Sequence, residues 1–356
     1  MEDINFKAAI LENHSGHLNI FDEIKIPSLE RGQVLVKLAY SGVCHSQIME
    51  IDGLRGEDKF LPHMLGHEGS GQVIQIGPGV SKVSKGDKVV LGWIKGDGID
   101  SGGCKYYCDE QIINAGSVTT FNEYAVVSEN RLVEVPKDIP MDIAALFGCA
   151  VLTGSGILTK TIKPKKHSSI AFFGLGGIGM SALAASNLYD FSDLFVVDIN
   201  DERLNIAKDF GATHLINPKS VDPVEYILRE SDGLGVDYSV EAAGFTSTIE
   251  QAFAVIKKGT GLTVFASHPK HGDKISIDPF DLISGKKIIG SWGGGSHPDK
   301  DIPMFAELYK NGKLPLERLI SKKYKLSEIN YAIEDLRNGT VIRPIIEIDT
   351  SIGNEA

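Results

Sequence analysis

Apolar and polar positions change rhythm along the chain. Over residues 6–40 they alternate in short runs, FKAAIL, LNIFDEI and QVLVKLAYSGV, interrupted at Pro27 and Gly32. A period of two places alternate side chains on one face, so these runs predict short strands joined by turns. SGQVIQIGPGV and KVVLGW continue the pattern beyond residue 70, with Gly77-Pro78-Gly79 as a turn. The stretch Lys95–Val118 is glycine-rich, polar and without period, and is expected to be a long irregular loop. FNEYAVVSENRLVEVP then returns to strands as far as Pro136.

The rhythm changes near Asp142. DIAALFGCAVLTGSGILT carries Ala145, Phe147, Cys149 and Leu152 at helical spacing. From 168 to 292 strand and helix patterns take turns. Six strands separated by helices predict a doubly wound parallel sheet. After Gly293–Gly295 two helices, 301–311 and 327–337, and one closing strand, VIRPIIEID, are expected to return to the first domain. The predicted organisation is thus a mostly-β domain over 1–150, completed by 293–356, and an α/β domain over 151–292. No solenoid-type repeat is visible.

One stretch of the second domain carries chemistry. The apolar run Ile170–Phe173 stops at Gly174-Leu-Gly176-Gly177-Ile178-Gly179, a small-residue helix follows, and a second apolar run, Leu194–Val197, ends at Asp198. Strand, glycine turn, helix, strand and acid form a dinucleotide-binding unit. The glycines allow a tight turn, close approach of backbone to a pyrophosphate and close helix packing, while the helix N-terminus faces the phosphates. An acid at this distance can bond the hydroxyls of an adenosine ribose and repel a 2′-phosphate, which favours NAD over NADP. Arg203 weighs the other way, since a nearby Arg can receive that phosphate.

Composition narrows the options. The chain has 356 residues and a formal net charge of −11. No basic field exists to recruit nucleic acid or an anionic membrane. The start MEDINFKAAI has acids where a secretion signal needs a basic start and an apolar core. No apolar run approaches the ~20 residues that span a bilayer. Four scattered cysteines do not form a disulfide framework and point to a reducing cytoplasm.

Three residues of the first domain can share a metal: Cys44 in GVCHSQ, His67 in LGHEGSG and Cys149 in FGCAVLTG. Taken singly each is an ordinary core residue. Two thiolates and an imidazole, however, give zinc three ligands and leave a fourth position for substrate.

With GVCHS, GHEGSG, GDKVVLGW, TFNEYAVV, FGCAVLTG, FGLGGIG, VDIN, GVDYSVEAAG and VIRPIIEI in order, the chain resembles the medium-chain zinc-dependent alcohol dehydrogenase family from about residue 6 to 349, in its liver or class III-like branch. The resemblance implies a GroES-like catalytic domain joined to a Rossmann domain, and one zinc and NAD per chain. It implies an alcohol held as alkoxide on zinc at a cleft between the domains, with hydride passing to NAD. Carried over by position, Cys44, His67 and Cys149 are zinc ligands and Glu68 is an acid beside the metal. Ser46 accepts the alcohol proton, Trp93 walls the substrate pocket and Thr153 lies against the nicotinamide. Asp198 and Arg203 contact the adenosine ribose; His45 and Arg343 contact the pyrophosphate. A small-molecule alcohol or carbonyl substrate and a homodimer or homotetramer are implied as well.

Departures from the family bear on details. Its structural zinc needs four cysteines, whereas here only Cys104 and Cys108 stand in the corresponding lobe, too few to close a tetrahedral site. Met49 replaces a proton-relaying His and cannot carry a proton. Gln47 replaces an Asp that bonds the ligand His; an amide can still orient His67 but raises its basicity less. Arg55, Glu57, Asp58 and Lys59 make a charged rim that could greet a polyol or sugar, an alternative substrate class with the same mechanism. A zinc-less enone or quinone reductase has no use for the three ligands, and a non-catalytic nucleotide-binding protein has none for Ser46.

Overall fold

In a computed structural model of the chain, residues 5–14, 16–136 and 138–353 are described. Both ends of the expected first domain, and part of the acidic start weighed against a secretion signal, lie outside the described residues. The chain divides into two compact units. One comprises Met1–Cys149, His297–Lys310 and Ile320–Ala356; the other comprises Ala150–Ser296 and Asn311–Leu319.

In the first unit Asn5–Leu11, Asn19–Lys25, Lys105–Cys108, Gln111–Asn114 and His63–Met64 close into a barrel. Phe6, Ile10, Ile24, Cys104, Tyr106 and Ile113 fill it. The expected irregular loop over Lys95–Val118 is therefore partly a hairpin, Lys105–Cys108 with Gln111–Asn114. Its strands, KYYC and QIIN, have four residues each, too short to show a period. The tyrosines and isoleucines nonetheless favour a pleated surface, and two residues, Asp109 and Glu110, make the turn.

A seven-stranded sheet completes this unit. Its order is Leu132–Glu134, Lys88–Gly92, Glu68–Ile76, Gln33–Gly42, Arg343–Glu347, Ile320–Lys325, with Tyr124–Ser128 also paired to Gln33–Gly42. Gln33–Gly42 is buried along nearly its whole length, which suits a strand with neighbours on every side. The closing strand returns as expected, Ile345 opposite Gly42. Ile320–Lys325 is a strand the pattern misses, because in ISKKYK only Tyr324 is buried and the lysines read as solvent. The late helices are Pro298–Lys310 and Ile329–Arg337.

Just after the closing strand, Asp349 lies 2.5 Å from Lys37 Nζ and accepts from the Ser351 backbone N–H. The bond from Lys37, with help from Ser351, holds the Asp349 carboxyl down at about 2. A depressed carboxyl stabilises the fold above its unfolded pKa, and that contribution is lost as pH falls through the folded value. Lys37 is about a third exposed, so the pair is worth less than ~1 kcal/mol. Asp349→Asn should lower the urea midpoint by a constant amount from pH 7 to 5, with the gap closing below about pH 4, where the unfolded carboxyl protonates. A gap independent of pH would show that the charge has no part in it.

The second unit holds the six-stranded parallel sheet, in the order His214–Ile216, Phe191–Val197, Ser168–Phe173, Tyr238–Glu241, Leu262–Phe265, Lys287–Gly290. Ser168–Phe173 is buried throughout, which accounts for the unbroken apolar run Ile170–Phe173 within it. Ala171, Phe173, Phe195, Val197 and Phe253 pack on one face. The order steps outward in both directions from Ser168–Phe173, so a crevice opens at the carboxyl end of that strand, where the glycine turn begins.

Candidate active site

Cys44 follows the strand Gln33–Gly42 and caps the helix His45–Ile51; His67 precedes the strand Glu68–Ile76; Cys149 separates the helices Met141–Leu146 and Ala150–Gly156. Three turns at the ends of packed elements thus bring one ligand atom each to within 4.8 Å of one another. In a tetrahedral zinc site with metal–ligand bonds of 2.0–2.3 Å, ligand atoms sit about 3.3–3.8 Å apart. The three donors therefore fit zinc with a small inward shift and supply three of its four ligands. Both thiols are buried. The Cys44 thiol is pushed well down, first by its hydrogen bond with Cys149 and then by the charges of Arg343 and His67. The same contact pushes Cys149 up. The pair thus gives up its first proton readily, as a thiolate ligand requires.

Behind the ligands, Glu68 is fully buried and its carboxylate lies 3.3 Å from the guanidinium of Arg343, itself only 2% exposed. Burial alone would lower the Arg343 pKa; Glu68 and the two thiols more than reverse that and hold it above its ordinary value. Arg343 also donates to the Val43 carbonyl, one residue before Cys44. It balances the negative charge of the cluster from inside the fold. Gln47, expected to orient the His67 ring, instead accepts from the backbone N–H of Gly66. It fixes the ligand through the chain beside it. Ser46 Oγ is buried and has no hydrogen-bond partner among the described residues. Such a hydroxyl is available to a ligand, and a buried one without a partner is costly to leave that way. His45 is exposed, and Met49 half-buried.

In the second unit the glycine turn is built as expected. A Cβ on Gly179 would meet the Gly174 carbonyl at 1.8 Å, so only glycine lets the helix Gly177–Ser186 approach the strand. A Cβ on Gly176 would meet nothing within 4 Å, and that open space lies at the N-cap of the helix, the place for a pyrophosphate. Gly177 and Ile178 are half-buried in its first turn. Asp198 accepts from Leu175 N at 2.6 Å and from Asn200 N at 2.9 Å, which ties the acid to the turn. Arg203 lies 3.9 Å from the same carboxylate. The Thr153 hydroxyl is buried without a hydrogen-bond partner among the described residues, a donor and acceptor ready for a ligand.

Trp93 directly follows the strand Lys88–Gly92, whose last residue pairs with Glu68 and packs against Gly148. It therefore stands beside two ligand-bearing turns. The charged rim is satisfied internally: Arg55 reaches Glu50 at 3.5 Å, Lys59 reaches Glu57 at 3.7 Å, and Asp58 holds His63 at 2.8 Å. Cys104 belongs to the barrel core and burial pushes its thiol up to about 12, so it behaves as packing. Asp97, His297 and Asp299 form a second group of close donors. Lys82 Nζ lies 2.5 Å from Asp299, so a tethered cation already sits there.

A cysteine–histidine–cysteine cluster with both thiols buried and a dinucleotide turn on one chain define a metal-dependent nicotinamide dehydrogenase. Residues 30–137 match the alcohol dehydrogenase GroES-like domain and 177–311 the zinc-binding dehydrogenase domain. An S-(hydroxymethyl)glutathione dehydrogenase of Synechocystis is 31% identical over 91% of this chain and 95% of its own. A class-3 alcohol dehydrogenase of Caenorhabditis elegans is 29% identical over 97% of each. The crystal structure of benzyl alcohol dehydrogenase from Acinetobacter calcoaceticus superimposes with a TM-score of 0.88 at 32% identity, over 98% of this chain and 100% of that one. The chain belongs to the medium-chain zinc-dependent alcohol dehydrogenase family, oxidoreductases that use zinc and NAD.

Proposed function

We propose that this enzyme oxidises an alcohol of modest size to its aldehyde or ketone, with zinc held by Cys44, His67 and Cys149 and NAD on the Gly174–Gly179 turn. The orphaned Ser46 hydroxyl beside the Cys44 ligand carries this reading. When bound, zinc supplies Lewis acidity that makes an alcohol hydroxyl more acidic, and the nicotinamide accepts the hydride. Ser46 would take the hydroxyl proton at its Oγ while giving up its own, and Met49 offers no relay for the proton given up. Glu68 and Arg343 would set the charge around a zinc held by the three ligands. Thr153 holds the nicotinamide. Asp198 and Arg203 hold the adenosine ribose, while His45 and Arg343 attend the pyrophosphate.

Pairing of Arg55 with Glu50 and of Asp58 with His63 weakens the support for a polyol or sugar, and Trp93 beside the ligands favours a compact or flat alcohol. The domains implied are 1–150 with 293–356 for catalysis and 151–292 for the cofactor. The strand Lys287–Gly290 is an edge of its sheet, and Ile283, Phe280 and Ile289 nearby are exposed, which supports a homodimer or homotetramer. Four free cysteines among the described residues suit the cytoplasm. NAD reduction should be seen with ethanol or benzyl alcohol and not with sorbitol. Dialysis against a chelator should remove about one zinc per chain together with the activity. Activity on sorbitol alone, or undiminished activity after zinc removal, would reject the proposal.

A further inference from the structure

The residues Glu129–Arg131 form a single 3-10 turn, and all three are buried at 9% exposure or less. Their partners lie on one loop at a regular spacing. Glu129 accepts from Ile99 N at 2.8 Å, the Asn130 carbonyl accepts from Gly96 N at 2.8 Å, and Arg131 Nη1 donates to the Trp93 carbonyl. Glu129 also takes Ser81 N and Lys82 N, so its carboxylate ties a neighbouring turn to the same point. A salt bridge from Lys95 to Asp100 at 2.5 Å closes the loop on itself. Three consecutive residues thus grip positions 99, 96 and 93, and the last grip falls on the residue next to the ligand-bearing turns.

We propose that Arg131 is a positioning residue that sets alcohol selectivity: by holding the Trp93 carbonyl it fixes where the indole stands beside the substrate. The inference rests on Trp93 as a wall of the alcohol pocket. Burying a guanidinium needs a strong acceptor, and the bond to the backbone carbonyl holds in place the main chain from which the indole projects. A shift of the indole by a methylene's breadth changes the fit of one alcohol and not of another, and such differences are worth about tenfold or more in relative rate.

The test compares kcat/KM for benzyl alcohol and ethanol in Arg131→Met, Arg131→Lys and Trp93→Ala enzymes. Arg131→Met should change the benzyl-to-ethanol ratio about tenfold in the direction of Trp93→Ala, with zinc content and NAD affinity unchanged. Added to Trp93→Ala it should change the ratio no further, because the two act through one group. Arg131→Lys should restore part of the ratio. The chain has two tryptophans, so a Trp292→Phe background leaves Trp93 as the sole indole reporter. Its emission should become more accessible to acrylamide when Arg131 is changed, in an assay that needs no turnover. A uniform loss for both alcohols, or an unchanged ratio where Trp93→Ala shifts it, would overturn the role of Arg131. An unchanged ratio in Trp93→Ala would instead overturn the pocket wall, and the inference with it.

Discussion

Cys44→Ser is expected to abolish alcohol oxidation while leaving NAD binding largely intact. A serine hydroxyl is close in size to the thiol but is a poor partner for zinc, which favours thiolate sulfur. Loss of the metal removes several kcal/mol of transition-state charge stabilisation, or roughly a 1,000-fold fall in kcat/KM. The Gly174–Gly179 turn and Asp198 belong to the other compact unit and keep their grip, so any loss of cofactor affinity through His45 beside Cys44 is small. Zinc content, NAD binding by fluorescence and turnover, measured on one preparation, give the answer together. Activity within tenfold of the parent enzyme would show that the three donors do not form the catalytic metal site.

The second large effect concerns cofactor choice. Asp198→Asn should raise the NADP-to-NAD ratio of kcat/KM by about 10–100-fold, because it removes the charge that opposes a 2′-phosphate and weakens charge-assisted bonds worth ~1.5–3 kcal/mol to the ribose. The amide oxygen can still accept from Leu175 N or Asn200 N, so the turn keeps its anchor. Arg203, at 3.9 Å from the present carboxylate, stands where it can meet a 2′-phosphate. Asp198→Asn with Arg203→Gln should lose the NADP gain and keep the loss toward NAD. If the ratio does not move in the first variant, Asp198 serves the turn and not the cofactor.

Much of this could be seen in the sequence, for reasons that differ by residue. The glycine turn is contiguous, and each of its glycines answers a local steric demand, as the 1.8 Å clash at Gly179 shows. Cys44, His67 and Cys149 are remote in sequence and became conspicuous only with the family motifs around them. Signals carried by backbone partners were invisible. Gln47 grips the Gly66 N–H and Arg131 the Trp93 carbonyl, and these are backbone groups that every residue but proline carries at 66 and every residue carries at 93. Lys105–Cys108 and Ile320–Lys325 escaped for another reason, since strands so short or so solvent-facing lack an apolar period.

The path of the chain through the large sheet has a consequence for synthesis. Gln33–Gly42 pairs with Arg343–Glu347, and Arg343 stands against Glu68 in the interior of the metal cluster. The strands before residue 150 therefore lack two sheet partners, Ile320–Lys325 and Arg343–Glu347, until the chain beyond the nucleotide unit has been made. The nucleotide unit, begun later, has all of its strands by Gly290 and its final segment by Leu319. Until then the nascent first half exposes an unpaired sheet edge and two unligated thiols. That interval is where misfolding and thiol oxidation would compete with zinc capture, so yield in a cell should depend on metal supply during translation more than afterwards.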